Sequence, residues 1–183
     1  MKRMRVLRTI GLAATMALAA SATMVPRLSL EEMGDRSELI VRGRSVRMWS
    51  AWDAKGQFIW THNEIEVAET WKGGPGARVI VSEIGGTVGD DAMQVEGVPQ
   101  YQAGEEVVLF LYRTPIGYWR SRGMGQGKFR VAAGGKVRTQ TGGAALIAPT
   151  GAVHRGTDLG QLDGASLDQL RSLVRALIPG GRR

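Results

Sequence analysis

The chain has 183 residues, with 24 Lys+Arg, 17 Asp+Glu and no cysteine. The lack of cysteine excludes disulfides and thiolate-bound zinc, so stability must come from a hydrophobic core. The formal net charge of +7 argues for a polyanionic partner only if the cations belong to the folded part of the chain.

Four of them do not. The opening "MKRMRVLRTIGLAATMALAASA" sets Lys2, Arg3, Arg5 and Arg8 ahead of an apolar run from Ile10 to Ala20 and closes on small residues at Ala20 and Ala22. This is the pattern of a secretory signal peptide over residues 1–22, with an apolar run too short to remain as a membrane span. No cysteine follows it to carry a lipid anchor. Its removal leaves 161 residues, enough for one domain with a core, and 20 basic against 17 acidic residues, a net charge of +3. Nucleic-acid binding thereby loses its main support. The expectation is an exported monomer, periplasmic or secreted, with no stable membrane anchor.

Ser29 and Glu32 have the spacing of a capping box, predicting a short helix that Gly34 would stop. From Glu38 the pattern turns to strands. "ELIVRGRSVRMWSAW" and "QFIWTHNEIEVAETW" flank "DAKG" and predict a long hairpin whose turn is Asp53–Gly56. Ile59, Thr61, Ile65 and Val67 share one parity of the second arm and define its inner face. In the first arm, Leu39 and Val41 lie on one parity and Val46 and Met48 on the other, which predicts a β-bulge near Gly43.

"ARVIVSEIGG" predicts a third strand and "MQVEGVP" a shorter one. "EEVVLFLY" is apolar at both parities, as in a central strand covered on both faces. "YWRSRG" and "GKFRVAAGGKVRTQ" follow as strands, with Gly134 and Gly135 as a turn. Residues 141–165 are Gly- and Ala-rich and read as a loop. Ser166 then caps a helix over 166–178, with Gln169 at capping-box spacing and Leu167, Leu170, Leu173, Val174 and Leu177 along one face. The economical architecture is a mostly β, small twisted OB-like barrel over 23–140, with a short N-terminal helix and a C-terminal amphipathic helix on the same domain.

The set "SLEEMGDRSELIVRGRSV", "IWTHNEIEVAETWKG", "IGGTVGDDAMQVEGVPQYQAGEEVVLFLY" and "GMGQGKFRV" resembles a largely uncharacterised family of exported bacterial proteins and domains. That family carries the pattern Ser-Glu-x-Ile-Val-x-Gly, then Lys-Gly, Gly-Glu and Gln-Gly-Lys-Phe, and its domain can occur beside secreted proteases. The opening strand is distantly similar to the netrin-like modules of metalloproteinase inhibitors, which are OB barrels. The resemblance spans roughly residues 28–131; it implies an OB-like fold and supplies no catalytic residue. Those inhibitors insert an N-terminal cysteine into a zinc site, and this chain has no cysteine, so that mechanism does not carry over.

Candidate chemistry is sparse. His62 and His154 are the only imidazoles, no Gly-x-Ser-x-Gly elbow is present, and both histidines read as solvated surface groups, leaving a hydrolase as the weaker alternative. Asp90–Asp91 and Glu105–Glu106 lack the alternating ligands of a calcium loop and read as solvated turn residues, so no metal or cofactor is expected. "GMGQGKF" resembles a phosphate cradle, but Arg122 stands where its first glycine belongs and Phe129 follows Lys128. Gly123, Gly125 and Gly127 read instead as a turn or close approach where the sheet closes, with Lys128 as the only support for anion binding.

The sharper signal is aromatic. A turn at Asp53–Gly56 would pair Trp49 with Trp60, Arg47 with His62 and Ala51 with Phe58. Arg47, Trp49, Phe58, Trp60 and His62 would then form a platform on the face opposite Ile65, covered or partly covered by the C-terminal helix. The expected function is a non-enzymatic module binding a protein, peptide or glycan, with a protease-associated inhibitory or regulatory domain as the alternative.

Overall fold

The structure, a computed structural model, describes residues 24–140, 145–147 and 157–178. The predicted leader and His154 lie outside them. The strands are β1 (Met24–Pro26), β2 (Leu39–Trp52), β3 (Ile59–Lys72), β4 (Arg78–Ile84), β5 (Gly86–Val88), β6 (Asp91–Met93), β7 (Glu106–Arg113), β8 (Trp119–Ser121), β9 (Lys128–Ala132), β10 (Lys136–Thr139) and β11 (Ala145–Ile147). The helices are α1 (Leu30–Arg36) and α2 (Leu167–Leu177).

The architecture is mostly β. Seven strands run in the order β10-β9-β7-β2-β3-β4-β8, and β8 also pairs with β7, so β7-β2-β3-β4-β8 close into a ring. All of its pairings are antiparallel except β4 with β8. The predicted central strand is β7, whose residues Val107 to Leu111 are fully buried. Its odd side chains point into the ring, where Val107, Leu109 and Leu111 pack with Leu39, Val41, Ile65, Val79 and Val81. Its even side chains, Val108 and Phe110, meet Met33, Trp71, Phe129, Leu170 and Val174 in a second core under the two helices.

Both helices begin as their sequences dictate. Ser29 and Glu32 form the reciprocal capping box of α1, and Ser166 accepts the Gln169 N–H at 3.1 Å to start α2. Helix α1 continues past Gly34 to Arg36 and ends where the Ser37 hydroxyl donates to the Met33 carbonyl at 2.7 Å. Within 141–165 the chain is not all loop: β11 pairs in parallel with β1, and a 3-10 turn over Leu159–Leu162 buries both leucines. Segments of three or four residues are too short to show either a two- or a 3.6-residue period. The outer side of β10 is also occupied, because Val137 N–H donates to Ala165 O at 2.9 Å and Gly164 N–H to Val137 O at 2.8 Å.

The first hairpin carries several irregularities. Register shifts fall between Ile40 and Val41, Arg42 and Gly43, and Ser45 and Arg47. At Gly43 an added Cβ would overlap the Glu66 carbonyl oxygen, which is why a residue without a side chain sits there. Val46, inside the last of these shifts, and Met48 beyond it are exposed rather than core.

The "GMGQGKF" stretch carries the chain from one partner of β7 to another. One edge of β7 is shared: Glu106–Leu109 pair with β9 and Leu111–Arg113 with β8. Between them the chain crosses Phe110, whose carbonyl accepts the Arg122 N–H at 2.7 Å. Gly123 takes a φ of 63° at the start of a 3-10 turn over Met124–Gly127, and a Cβ on Gly127 would collide with the Arg122 carbonyl oxygen.

Lys128, the residue left in support of anion binding, is sealed inside. Its ammonium pairs with Glu105 at 2.6 Å, donates to the Gln100 carbonyl and sits 4.5 Å from the centre of the Tyr101 ring. Burial pushes this ammonium below its ordinary range, and Glu105 pulls it back up. Glu105 is therefore not a solvated turn residue, and Glu106 ion-pairs with Arg42. Adjacent carboxylates look alike in sequence; here strand alternation sends one inward and the other to the surface network. Truncating Glu105 to Ala would leave a buried unpaired cation and is expected to cost about 3–5 kcal/mol in urea unfolding, whereas Glu105→Leu with Lys128→Met should cost much less.

A second polar cluster ties α2 to the sheet. Glu69 accepts from Arg42 at 2.5 Å, from Arg171 at 2.9 Å and from the Trp71 indole at 3.1 Å. Burial alone would raise its pKa, but these donors outweigh it and hold the carboxyl at about 2, against 4.5 for the free group. The folded value is depressed, so the stabilisation is complete above about pH 4.5 and is lost as pH falls towards 2. The melting-temperature gap between wild type and Glu69→Gln should accordingly be widest above pH 5 and shrink through that window.

Candidate functional site

The β2–β3 register differs from the expected one by two residues. The connection runs over Asp53–Phe58, closed by Asp53 N–H donating to Phe58 O at 2.8 Å, with the Asp53 carboxylate accepting from Gln57 N–H at 2.7 Å. Trp49 consequently lies opposite His62, Ala51 opposite Trp60 and Arg47 opposite Glu64. A shift of two preserves parity, so Trp49, Trp60 and His62 still share the outer face. Phe58 does not join them: it sits in the connection, 45% exposed, with no aromatic neighbour among the described residues.

The C-terminal helix does not cover this face. Arg171 of α2 reaches Glu69 and the Trp71 ring, at the far end of β3. Cover comes from the β7–β8 turn, which brings Tyr118 onto the platform. Thr114 fixes that turn: its N–H donates to the Tyr118 carbonyl at 2.8 Å, and its hydroxyl accepts the Tyr118 N–H at 2.9 Å. Gly117 supplies the positive φ of 88° that the tight reversal needs.

The result is a continuous row of rings. The Arg47 guanidinium lies 4.8 Å from the Trp49 ring, and Trp49 lies 5.2 Å from His62. His62 meets Tyr118 edge-on at 5.6 Å, Tyr118 meets Trp60 at 5.0 Å, and Arg120 ends the row 5.4 Å from Trp60. Trp60 is buried beneath Tyr118, whereas Trp49, His62 and Tyr118 are half-buried. Beside the row opens a cleft of about 510 Å³, lined by Trp49, His62, Arg78, Arg113, Tyr118 and Trp119 among others. Among the described residues, neither Asp nor Glu lines it. Arg78 is held by Glu64 at 2.6 Å, while Arg113 stands 5.8 Å over the Trp119 ring.

His62 is oriented by Ser82, with Nδ1 and the hydroxyl 2.7 Å apart. A serine–histidine contact is half of a nucleophilic dyad, but Ser82 is only 1% exposed, and no carboxylate hydrogen-bonds to His62 among the described residues. The pair therefore serves to fix the ring between Trp49 and Tyr118. Partial burial lowers the His62 pKa below its ordinary 6.5, leaving a neutral imidazole at pH 7.

A second cavity of about 610 Å³ lies between β3, β4 and the β5–β6 hairpin, with Asn63, Glu83 and Tyr101 in its wall. Glu83, 2% exposed, accepts from Ser121 N–H at 2.7 Å and pairs with Arg120 at 3.2 Å. Burial raises its pKa against the pull of Arg120. This pair braces β8 against β4 and so also holds Arg120 over Trp60. Asp90 and Asp91 sit at the exposed tip of the β5–β6 hairpin, and no cluster of three metal-ligating side chains occurs among the described residues.

Comparison with family models and with curated proteins finds no match. The site residues that sequence reasoning missed are Arg78, Arg113, Tyr118 and Trp119. Their local signal was "YWR" after a Thr-Pro-x-Gly turn, an aromatic pair flanked by a cation; what placed it beside β3 was ring closure. Because His62 touches Trp49, its titration should be visible in tryptophan fluorescence. The transition is expected with a midpoint below 6.5 and should vanish in His62→Gln.

Proposed function

We propose that the chain is an exported, non-enzymatic binding module that takes a protein, peptide or glycan partner into the aromatic cleft between β3, β4 and the β7–β8 turn. The observation that carries this reading is the cleft itself. It combines half-exposed aromatic rings with guanidinium groups, a lining that offers stacking, cation–π and charge-assisted contacts. The rings touch each other and are held by a tight turn and by Ser82, so little ordering cost remains to be met on binding.

The ring of strands supports an OB-like barrel. Counted from β2, its first three strands are sequential, its last is parallel to its third, and the order returns to the first. In OB barrels ligands settle on the second and third strands and on the loops joining strands 1–2 and 4–5. Here those elements are β3, β4, the Asp53–Phe58 connection and the β7–β8 turn, and the cleft opens on three of the four. This agrees with the fold implied by the resemblance to netrin-like modules, and the leader-like N-terminus supports export.

The test is a titration of soluble oligosaccharides and peptides followed by intrinsic tryptophan fluorescence. A ligand should perturb the emission of the wild type, and Trp49→Ala and Tyr118→Ala should each weaken it at least tenfold, about 1.4 kcal/mol. Undiminished affinity in both variants, with melting temperatures unchanged, would locate binding elsewhere and end this reading.

A further inference from the structure

The cleft borders a seam in the ring. Strand β4 pairs with β3 over Arg78–Ile84, but with β8 only at Val81↔Trp119. The ladder between β3 and β4 fixes which main-chain groups point where. Val67 N–H donates to Ala77 O and Gly85 N–H to Ile59 O, each at 2.8 Å, and the register between them is unbroken. Antiparallel ladders alternate, so Val79, Val81 and Glu83 turn their N–H and C=O groups towards β3, while Arg78, Ile80 and Ser82 turn theirs the other way. Beside Ser82 and the Ile80 carbonyl that direction leads to β8, because a parallel bridge at Val81↔Trp119 joins the groups flanking Val81, Ile80 C=O and Ser82 N–H, to Trp119. Beside Arg78 and the Ile80 N–H no strand stands among the described residues, because β8 begins at Trp119 and the chain before it folds back through Thr114–Tyr118 to β7. The cleft occupies that gap.

We propose that this gap accepts an extended acidic peptide, which adds as a strand to the Arg78–Ile80 edge of β4. The inference rests on the cleft reading above and names the class of its occupant. An unpaired edge inside a ring is a template for strand addition, in which main-chain hydrogen bonds supply affinity and alternate side chains supply specificity. The gap holds roughly three or four residues at about 3.3 Å each. One face of the added strand would lie against Val79 and Trp119, which belong to the inner core, and selects apolar side chains. The other face would lie beside Ile80 and Arg78, whose side chains are exposed, Arg78 being held by Glu64, with Arg113 on the cleft wall in no ion pair among the described residues. Alternating apolar and acidic residues satisfy both faces.

The probe is the capped heptapeptide Glu-Val-Glu-Val-Glu-Val-Glu, titrated into the full chain by calorimetry. It is compared with the lysine-for-glutamate peptide and with a form N-methylated at alternate amides, which keeps every side chain but removes strand donors. The acidic peptide should bind, with at least tenfold weaker binding for the lysine and N-methylated forms and for Arg113→Ala. Equal affinity of the N-methylated form would overturn strand addition, as would failure of the acidic peptide to bind at millimolar concentration. If an oligosaccharide binds in either case and remains sensitive to Trp49→Ala, only the peptide inference falls and the cleft reading stands.

Discussion

Successive side chains on β7 point to opposite faces, yet Val107, Val108, Leu109, Phe110 and Leu111 are all removed from solvent. Each is worth about 1.5–3 kcal/mol of burial, so both faces must be covered at once. That requirement organises the molecule. The inner face is covered by curling β2, β3, β4 and β8 around it, and the outer face by α1, α2 and the Leu159–Leu162 turn. The edge of β7 away from β2 is divided between β9 and β8, so the chain must cross over at Phe110. Gly127 sits at this crossing, where backbone passes over backbone too closely for a Cβ, while Gly123 supplies the positive φ that starts the turn.

The same division creates the site. Because β8 uses only the last residues of β7, it is three residues long and meets β4 at a single pair. The ring closes, but incompletely, and the turn leading into β8 lies over the outer face of β3. Tyr118 reaches Trp60 and His62 for that reason. The buried Arg120–Glu83 pair then matters for more than stability: it joins β8 to β4 beneath the row of rings, at the place where main-chain pairing is thinnest.

Much of this was legible in the chain. The double-sided apolar run of β7, the capping residues Ser29 and Ser166, the glycine turn before β10 and the parity that sets Trp49, His62 and Trp60 on one outer face are all local patterns. The errors arose where a count had to be taken across a turn. The composition of "DAKG" suits a four-residue turn, but the Asp53 carboxylate gathers the N–H groups of Lys55 and Gln57 and widens the connection by two residues. Phe58 is thereby left off the platform and Trp49 is given to His62 rather than Trp60. Glu105 and Lys128 likewise carry no local mark of burial, since each is inward only by virtue of the other.

Local patterning established the mostly β class, the chain order of β2, β3, β4, β7, β8, β9 and β10, the inner face of β3, the two-sided burial of β7 and the absence of disulfides, but not the short strands β1, β5 and β11, nor the place of β6, which is Asp91–Met93 rather than the "MQVEGVP" segment. The established features follow from period-two patterning, caps and composition, which act within a few residues. Long-range pairing set the rest: β8 parallel to β4, Tyr118, Trp119, Arg78 and Arg113 sharing a cleft with Trp49 and His62, and the helices covering the opposite face. Those outcomes depend on which distant strands can pair once β7 must be buried on both sides, and no short-range pattern carries that information.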